Sequence, residues 1–118
     1  MNSADDLVQQ VEFWFKRTGL ADIEDSRGQF MKLIEEFGEC AGAYTRDDRE
    51  KFLDGAGDML VVIIGILLQQ KSSFEEALSI VLEIILKRKL VVVDGVAYKE
   101  ADWTDQHREI WESRGESN

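Results

Sequence analysis

The stretch Lys32-Leu-Ile-Glu35-Glu36-Phe-Gly-Glu39, followed after a short gap by Asp54-Gly-Ala-Gly-Asp58, collects carboxylates at helical spacing. Glu36 and Glu39 stand three residues apart, and Glu35 and Glu39 four, so on a helix they lie on neighbouring turns. Asp54 and Asp58, again four apart, share a face of the next helix. Like charges placed this way repel one another. Asp58 also abuts Met59-Leu60-Val61-Val62, which sets its carboxylate at the expected edge of a buried zone, where an unpaired charge is costly. A hard divalent cation offsets both costs, because oxygen ligands from two antiparallel helices can converge on it. The competing reading is a solvated acidic face, which accounts for most Glu-Glu-x-x-Glu patterns taken alone. The second acidic pair, entering an apolar helix one short connection later, weighs against it.

The elements that must hold these groups follow from periodicity and punctuation. Ser3 with Asp5 and Asp6 starts a first helix, carrying Leu7, Val8, Val11, Trp14 and Phe15 at helical spacing and stopping at Gly19. A linker, Leu20 to Gly28, leads to a second helix from Gln29 to Tyr44 with an apolar stripe of Phe30, Leu33, Ile34, Phe37 and Ala41. Thr45-Arg46-Asp47-Asp48 reads as a turn that also caps a third helix, Arg49 to Gln70, apolar on nearly all sides after Asp58. Such a helix is expected at the centre of a multi-helix core, completed by a partner subunit. Ser73 and Glu76 form a capping box for a fourth helix that continues to Lys89. Leu90-Val-Val-Val93, Asp94-Gly95 and Val96-Ala-Tyr98 then predict a tight hairpin with a type I′ turn. The tail, 101–118, is expected to be peripheral, forming a short helix or packing on a neighbour, with Ser113 to Asn118 frayed.

The 118 residues suit one domain, 1–118, and the fold expected is all-α: four to five helices with a short C-terminal hairpin. A net charge of −10 opposes broad binding to nucleic acid or anionic membrane. A phosphate-bearing substrate stays compatible when a divalent cation intervenes. Cys40 is the one cysteine, so no intrachain disulfide forms, and the start MNSADDLVQQ lacks the features of a signal peptide. The longest apolar run, Met59 to Leu68, is short for a bilayer span, so a cytoplasmic setting is expected.

The order Lys-Leu-Ile-Glu-Glu-Phe-Gly-Glu, a gap, then Asp-Gly-Ala-Gly-Asp-Met-Leu-Val-Val resembles the MazG-like pyrophosphohydrolases, whose hallmark is Glu-x-x-Glu on one helix and Glu-x-x-Asp on the next. The resemblance covers roughly Phe30 to Glu100. It implies a MazG-like bundle completed by oligomerisation, as a homodimer or a dimer of dimers. It also implies Mg²⁺-dependent cleavage of nucleoside triphosphates between the α- and β-phosphates, with Mn²⁺ as a possible substitute metal. Glu36, Glu39 and Asp58 match the metal-binding motif positions, and Glu35 the acidic residue before them. Glu35 or Glu36 would then act as general base, and Lys32 would meet a phosphate oxygen or orient a carboxylate. The family's second-motif Glu falls at Gly55, so Asp54 is expected to replace it. On the fourth helix, Glu83, Lys87, Arg88 and Lys89 occupy the region where relatives bind phosphate or nucleotide; basic residues closing a helix are equally ordinary dipole partners.

Trp14 and Phe13 are candidates for base stacking, with core packing the commoner role of such aromatics. Gly55, Gly57 and Gly65 are expected to permit close helix packing, and Cys40 to be a small buried residue. His107 has no assigned role, which disfavours zinc and His-based nucleophilic chemistry. The alternative function is a catalytically impaired helical dimer that binds a nucleotide or a protein.

Overall fold

A computed structural model describes residues 2–115. The described residues are mostly helical, with five α-helices and one two-stranded antiparallel hairpin: α1 (Ala4–Thr18), α2 (Arg27–Thr45), α3 (Arg49–Gln69), α4 (Phe74–Leu86), β1 (Leu90–Val93), β2 (Val96–Lys99) and α5 (Asp105–Gly115). It divides into two compact units between Ala77 and Leu78, inside α4.

In the first unit α1 starts on a capping box: Asp6 N–H donates to Ser3 Oγ and Ser3 N–H to Asp6 Oδ2, each at 3.2 Å. It ends at Gly19, whose φ of 86° is the left-handed cap glycine adopts without strain. Phe15 is the buried anchor of α1. A Cβ on Gly65 of α3 would overlap its ring, so α3 admits the ring only because residue 65 is glycine. Trp14, assigned chiefly to the core on spacing, instead stands half exposed and meets Phe15 edge to face at 5.1 Å; Phe13 is exposed as well. The core-facing arc of α1 narrows to Val8, Val11 and Phe15.

The segment from Gly19 to Ser26 is tied to the end of α3 by a polar network. Ser26 Oγ donates to Gln69 Oε1 at 2.7 Å, Gln69 Nε2 to the Leu20 carbonyl at 3.1 Å, and Gln70 Nε2 to the Glu24 carbonyl at 2.8 Å. Buried Ser26 and Gln69 are thereby satisfied.

Helices α2 and α3 are antiparallel. Tyr44 meets Phe52, Cys40 Sγ donates to the Phe52 carbonyl at 3.4 Å, and Cys40 lies against Gly55. Asp48 caps α3 by accepting from Lys51 N–H at 3.2 Å. The face α2 turns to α3 is not the stripe expected from hydropathy. Glu36, Cys40 and Ala43 are buried, whereas Phe30, Ile34, Phe37 and Ala41 are exposed. Small residues permit the close approach and so decide which arc is inside. Nor is α3 buried all round: Val62, Ile64 and Ile66 are buried but Leu60 and Ile63 are exposed. By length and composition alone α3 is apolar enough to cross a bilayer, yet here it packs on α1 and α2.

In the second unit α4 stops at Leu86, three residues before the expected end, so Lys87, Arg88 and Lys89 lie beyond the helix. The capping box of α4 is altered: Glu76 N–H donates to Ser73 Oγ at 3.1 Å, but the Glu76 carboxylate accepts from Ser72 Oγ at 2.7 Å. Asp94 and Gly95 have φ of 52° and 79°, the left-handed pair of a type I′ turn, and pair Val93 with Val96. The tail forms α5, so 113–115 are helical rather than frayed; the remainder of that expectation, 116–118, lies outside the described residues. Trp103 Nε1 donates to the Tyr98 carbonyl at 2.8 Å and its ring meets Trp111. His107 has a structural role that its sequence position did not reveal. It accepts from Thr104 N–H through Nδ1 at 3.1 Å and stacks on Tyr98, capping α5 as Glu does in a capping box.

Candidate functional site

The carboxylates occupy the half of the α2–α3 seam that starts at Cys40 and Gly55. Among the described residues Glu36 is the one buried charged side chain, 5% exposed. Its Oε1 accepts from Lys32 Nζ at 3.2 Å, one turn earlier on α2. Its Oε2 is shut from solvent and has no hydrogen-bond partner. Sequence spacing placed Asp58 at the buried edge; Asp58 is in fact exposed, and the buried carboxylate is Glu36. Hydropathy assigns every Glu to the outside of a helix, so only the packing of α2 reveals this.

Electrostatics tie the group together. The Asp58 carboxyl is held above its ordinary value by partial removal from water, then by the negative charges of Glu36 and Asp54 and by a hydrogen bond that a protonated Asp58 donates to Glu36, with Lys32 opposing. The Lys32 ammonium is raised by its hydrogen bond to Glu36 and by that group's charge, with Glu35 and Glu39 adding to the effect. Glu35 and Glu39 thus act on Lys32, Asp54 acts on Asp58, and Glu36 acts on both. Among the described residues, however, no three Asp, Glu, His or Cys side chains are gathered closely enough to hold a metal ion as they stand.

Gly55 is pressed into the seam. A Cβ there would lie 2.9 Å from Cys40 Cβ and 3.1 Å from its Cα, backbone that cannot yield. A side chain at this position would force the seam to shift. Asp54, one residue earlier, points its charge at the same group as Glu36 does, namely Asp58. Gly57, by contrast, has open space where a Cβ would go and plays no part in packing.

Beside the carboxylates the two helices leave a hollow of about 440 Å³, lined by Gly38, Glu39, Gly42 and Arg46 from α2 and its cap, and by Lys51, Asp54 and Gly55 from α3. Trp14 and Phe13 line a separate, shallower hollow along α1 with Arg17. Glu83, Lys87, Arg88 and Lys89 belong to the second unit and are exposed; Lys89 pairs with Glu100 at 3.5 Å.

No family model matches the chain, and no solved structure matches it. Over 58 residues it is 31% identical to an uncharacterized 18.2 kDa protein of the rep-hol intergenic region of Haemophilus phage HP1 (strain HP1c1). That stretch is 49% of this chain and 36% of the phage protein, so the chain is similar to a part of a larger relative.

Proposed function

We propose that the chain is a Mg²⁺-dependent nucleoside triphosphate pyrophosphohydrolase, cleaving ribo- or deoxynucleoside triphosphates to monophosphate and pyrophosphate in cytoplasmic nucleotide-pool house-cleaning. The observation that carries this reading is Glu36, a buried carboxylate with one oxygen on Lys32 and the other unpartnered. A buried acceptor left without a partner is costly, and one bearing charge more so. An all-oxygen set suits a hard cation, and Glu36, Glu39, Asp54 and Asp58 are the residues that would hold it. When bound, Mg²⁺ (or Mn²⁺) would supply charge neutralisation at the phosphates.

The chain's own groups do the rest. Lys32 steadies a phosphate oxygen while fixing Glu36. Glu35, exposed on the neighbouring position, takes a proton from the attacking water as its oxygen bonds to the α-phosphorus. The bond from that phosphorus to the oxygen bridging to the β-phosphate breaks, and pyrophosphate leaves. Trp14 is exposed enough to stack on a base.

The reading includes a homodimer or a dimer of dimers. On α4, Leu78, Ile80, Val81, Leu82, Ile84, Ile85 and Leu86 each expose between 45% and 71% of their surface. Patches of this extent mark association surfaces. Sedimentation at micromolar concentration tests it, with a monomer as the contrary result.

A second reading has one observation in its favour: Gly55 fills the seam where the family pattern has a ligand, so the fold serves as a nucleotide- or protein-binding module without turnover. Pyrophosphate release from a panel of nucleoside triphosphates, with Mg²⁺ and with chelator, separates the two. Metal-dependent release that Glu39→Gln abolishes is the expected result. Silence across the panel from folded protein selects the module.

A further inference from the structure

We propose that the outer stripe of α2 is a self-association surface, taking α2 of a second copy of this chain in antiparallel alignment; of the reading above it shares only the homodimer and none of the catalysis. Phe30, Ile34, Phe37, Ala41 and Tyr44 follow one another at steps of four, three, four and three, the 3.5-residue repeat of a helix that pairs with another helix. The residues α2 buries are Glu36, Cys40 and Ala43, whereas all five of the stripe are exposed, Tyr44 reaching α3 at Phe52. Phe30, Ile34, Phe37 and Tyr44, with Met31 beside them, expose between 51% and 70% of their surface. At about 200 Å² for a side chain of this size, these five present roughly 600 Å², close to the ~800 Å² that each partner of a stable interface buries.

The absence of charge along the stripe selects the occupant. Where two helices pair, the positions beside the seam carry the charges that choose a partner. Here those positions are Met31, Gly38 and Thr45 on one side and Leu33 and Cys40 on the other, none of them charged. The stripe therefore carries no charge code for a different protein. Two copies of a chain with a net charge of −10 can meet along it without like charges facing each other there. Antiparallel alignment opposes the two helix dipoles and sets Ile34 against the partner's Ala41, large against small, on both sides of a two-fold axis. Parallel alignment would leave a gap where Ala41 met the partner's Ala41. The antiparallel register also brings Phe37 over the partner's Gly38. In its own unit Gly38 has open space where a Cβ would go, although glycine inside a helix is destabilising. An aromatic ring from a second copy gives that glycine a reason.

The test is sedimentation at micromolar concentration, without metal or substrate, on the full chain and its Phe37→Glu and Ile84→Glu variants. Phe37→Glu sets two like charges beside the axis and is expected to raise the dissociation constant of the pair by at least about 30-fold. Its helix content is expected to stay at the wild-type value, because Phe37 is exposed. Ile84→Glu, on α4, is expected to leave the α2 pair intact. Cross-linking under an added oxidant fixes the alignment separately, with the wild type, whose Cys40 is buried, as control. Phe37→Cys is expected to join two chains through a disulfide, and Phe30→Cys to join none, its two sulfurs standing about 20 Å apart along antiparallel helices. A wild-type monomer, a Phe37→Glu variant that associates like wild type, a Phe37→Cys variant that stays single, or cross-linking through Phe30→Cys overturns the inference and leaves the proposed catalysis standing. A nucleotide panel without turnover overturns the catalysis and leaves the α2 pair standing.

Discussion

The two halves of α3 are built on opposite principles. From Met59 on, α3 receives Phe15 over Gly65 and buries Val62, Ile64 and Ile66, with its last turn fastened to Ser26 through Gln69. Before Met59, the same helix faces a buried carboxylate with an unpartnered oxygen, two more carboxylates of its own and a glycine jammed against Cys40. The first arrangement gains free energy from apolar burial. In the second, the unpartnered Glu36 oxygen and the charges crowding Asp58 oppose folding. A helix whose apolar contacts are strong at one end can carry a weaker, charge-burdened half at the other.

Breaking the strong half gives the largest effect. Phe15→Ala empties the main anchor and is expected to cost about 3–5 kcal/mol in urea unfolding, the range for large aromatic truncations in cores. The Mg²⁺-dependent increment in stability is expected to survive, since Phe15 lies away from the carboxylates. An equal loss of that increment would show the halves are not separable.

Gly55→Glu puts a carboxylate where glycine now lets α2 and α3 meet, and sharpens the boundary between the halves. Because the added Cβ meets Cys40 backbone, the substitution is expected to destabilise by about 1–3 kcal/mol through overpacking and to lower activity. An unchanged melting temperature with higher turnover would mean that the seam opens freely and that Gly55 is a lost ligand, not a packing residue.

Asp58→Asn probes the weaker half with the smallest shift. A raised folded-state pKa means the folded chain holds the Asp58 proton more tightly than the unfolded chain. The associated stability is therefore present below the ordinary value of 3.8 and is lost as pH rises through the higher folded value. In chelator at neutral pH the ionised Asp58 works against folding. Asp58→Asn is expected to raise the metal-free melting temperature there by a few degrees at most, and to flatten its decline between acidic and neutral pH. A fall in metal-free stability would show that Asp58 is favourably paired.

Much of the fold was legible because local chemistry encodes it. The Ser3 helix start, the Gly19 stop, the Asp48 cap and the Asp94-Gly95 turn each depend on a few neighbouring residues and formed as expected. The interior of the seam was not legible. Hydropathy favoured Phe30, Ile34 and Phe37 for the inside of α2, whereas close approach selects Cys40, Ala43 and Gly55, and that selection carries Glu36 inside. Long-range partners such as Gln69 for Ser26 leave no trace in spacing. The carboxylate positions themselves were readable; which of them is buried was not.

The central claim is that the unpartnered Glu36 oxygen is one ligand of a cation site. Thermal unfolding of wild type and Glu36→Gln, in saturating Mg²⁺ and in chelator, tests it without requiring a substrate. The account predicts a clear Mg²⁺-dependent rise in Tm for wild type and none for Glu36→Gln. A wild-type Tm indifferent to Mg²⁺, or a rise that survives in Glu36→Gln, would contradict it.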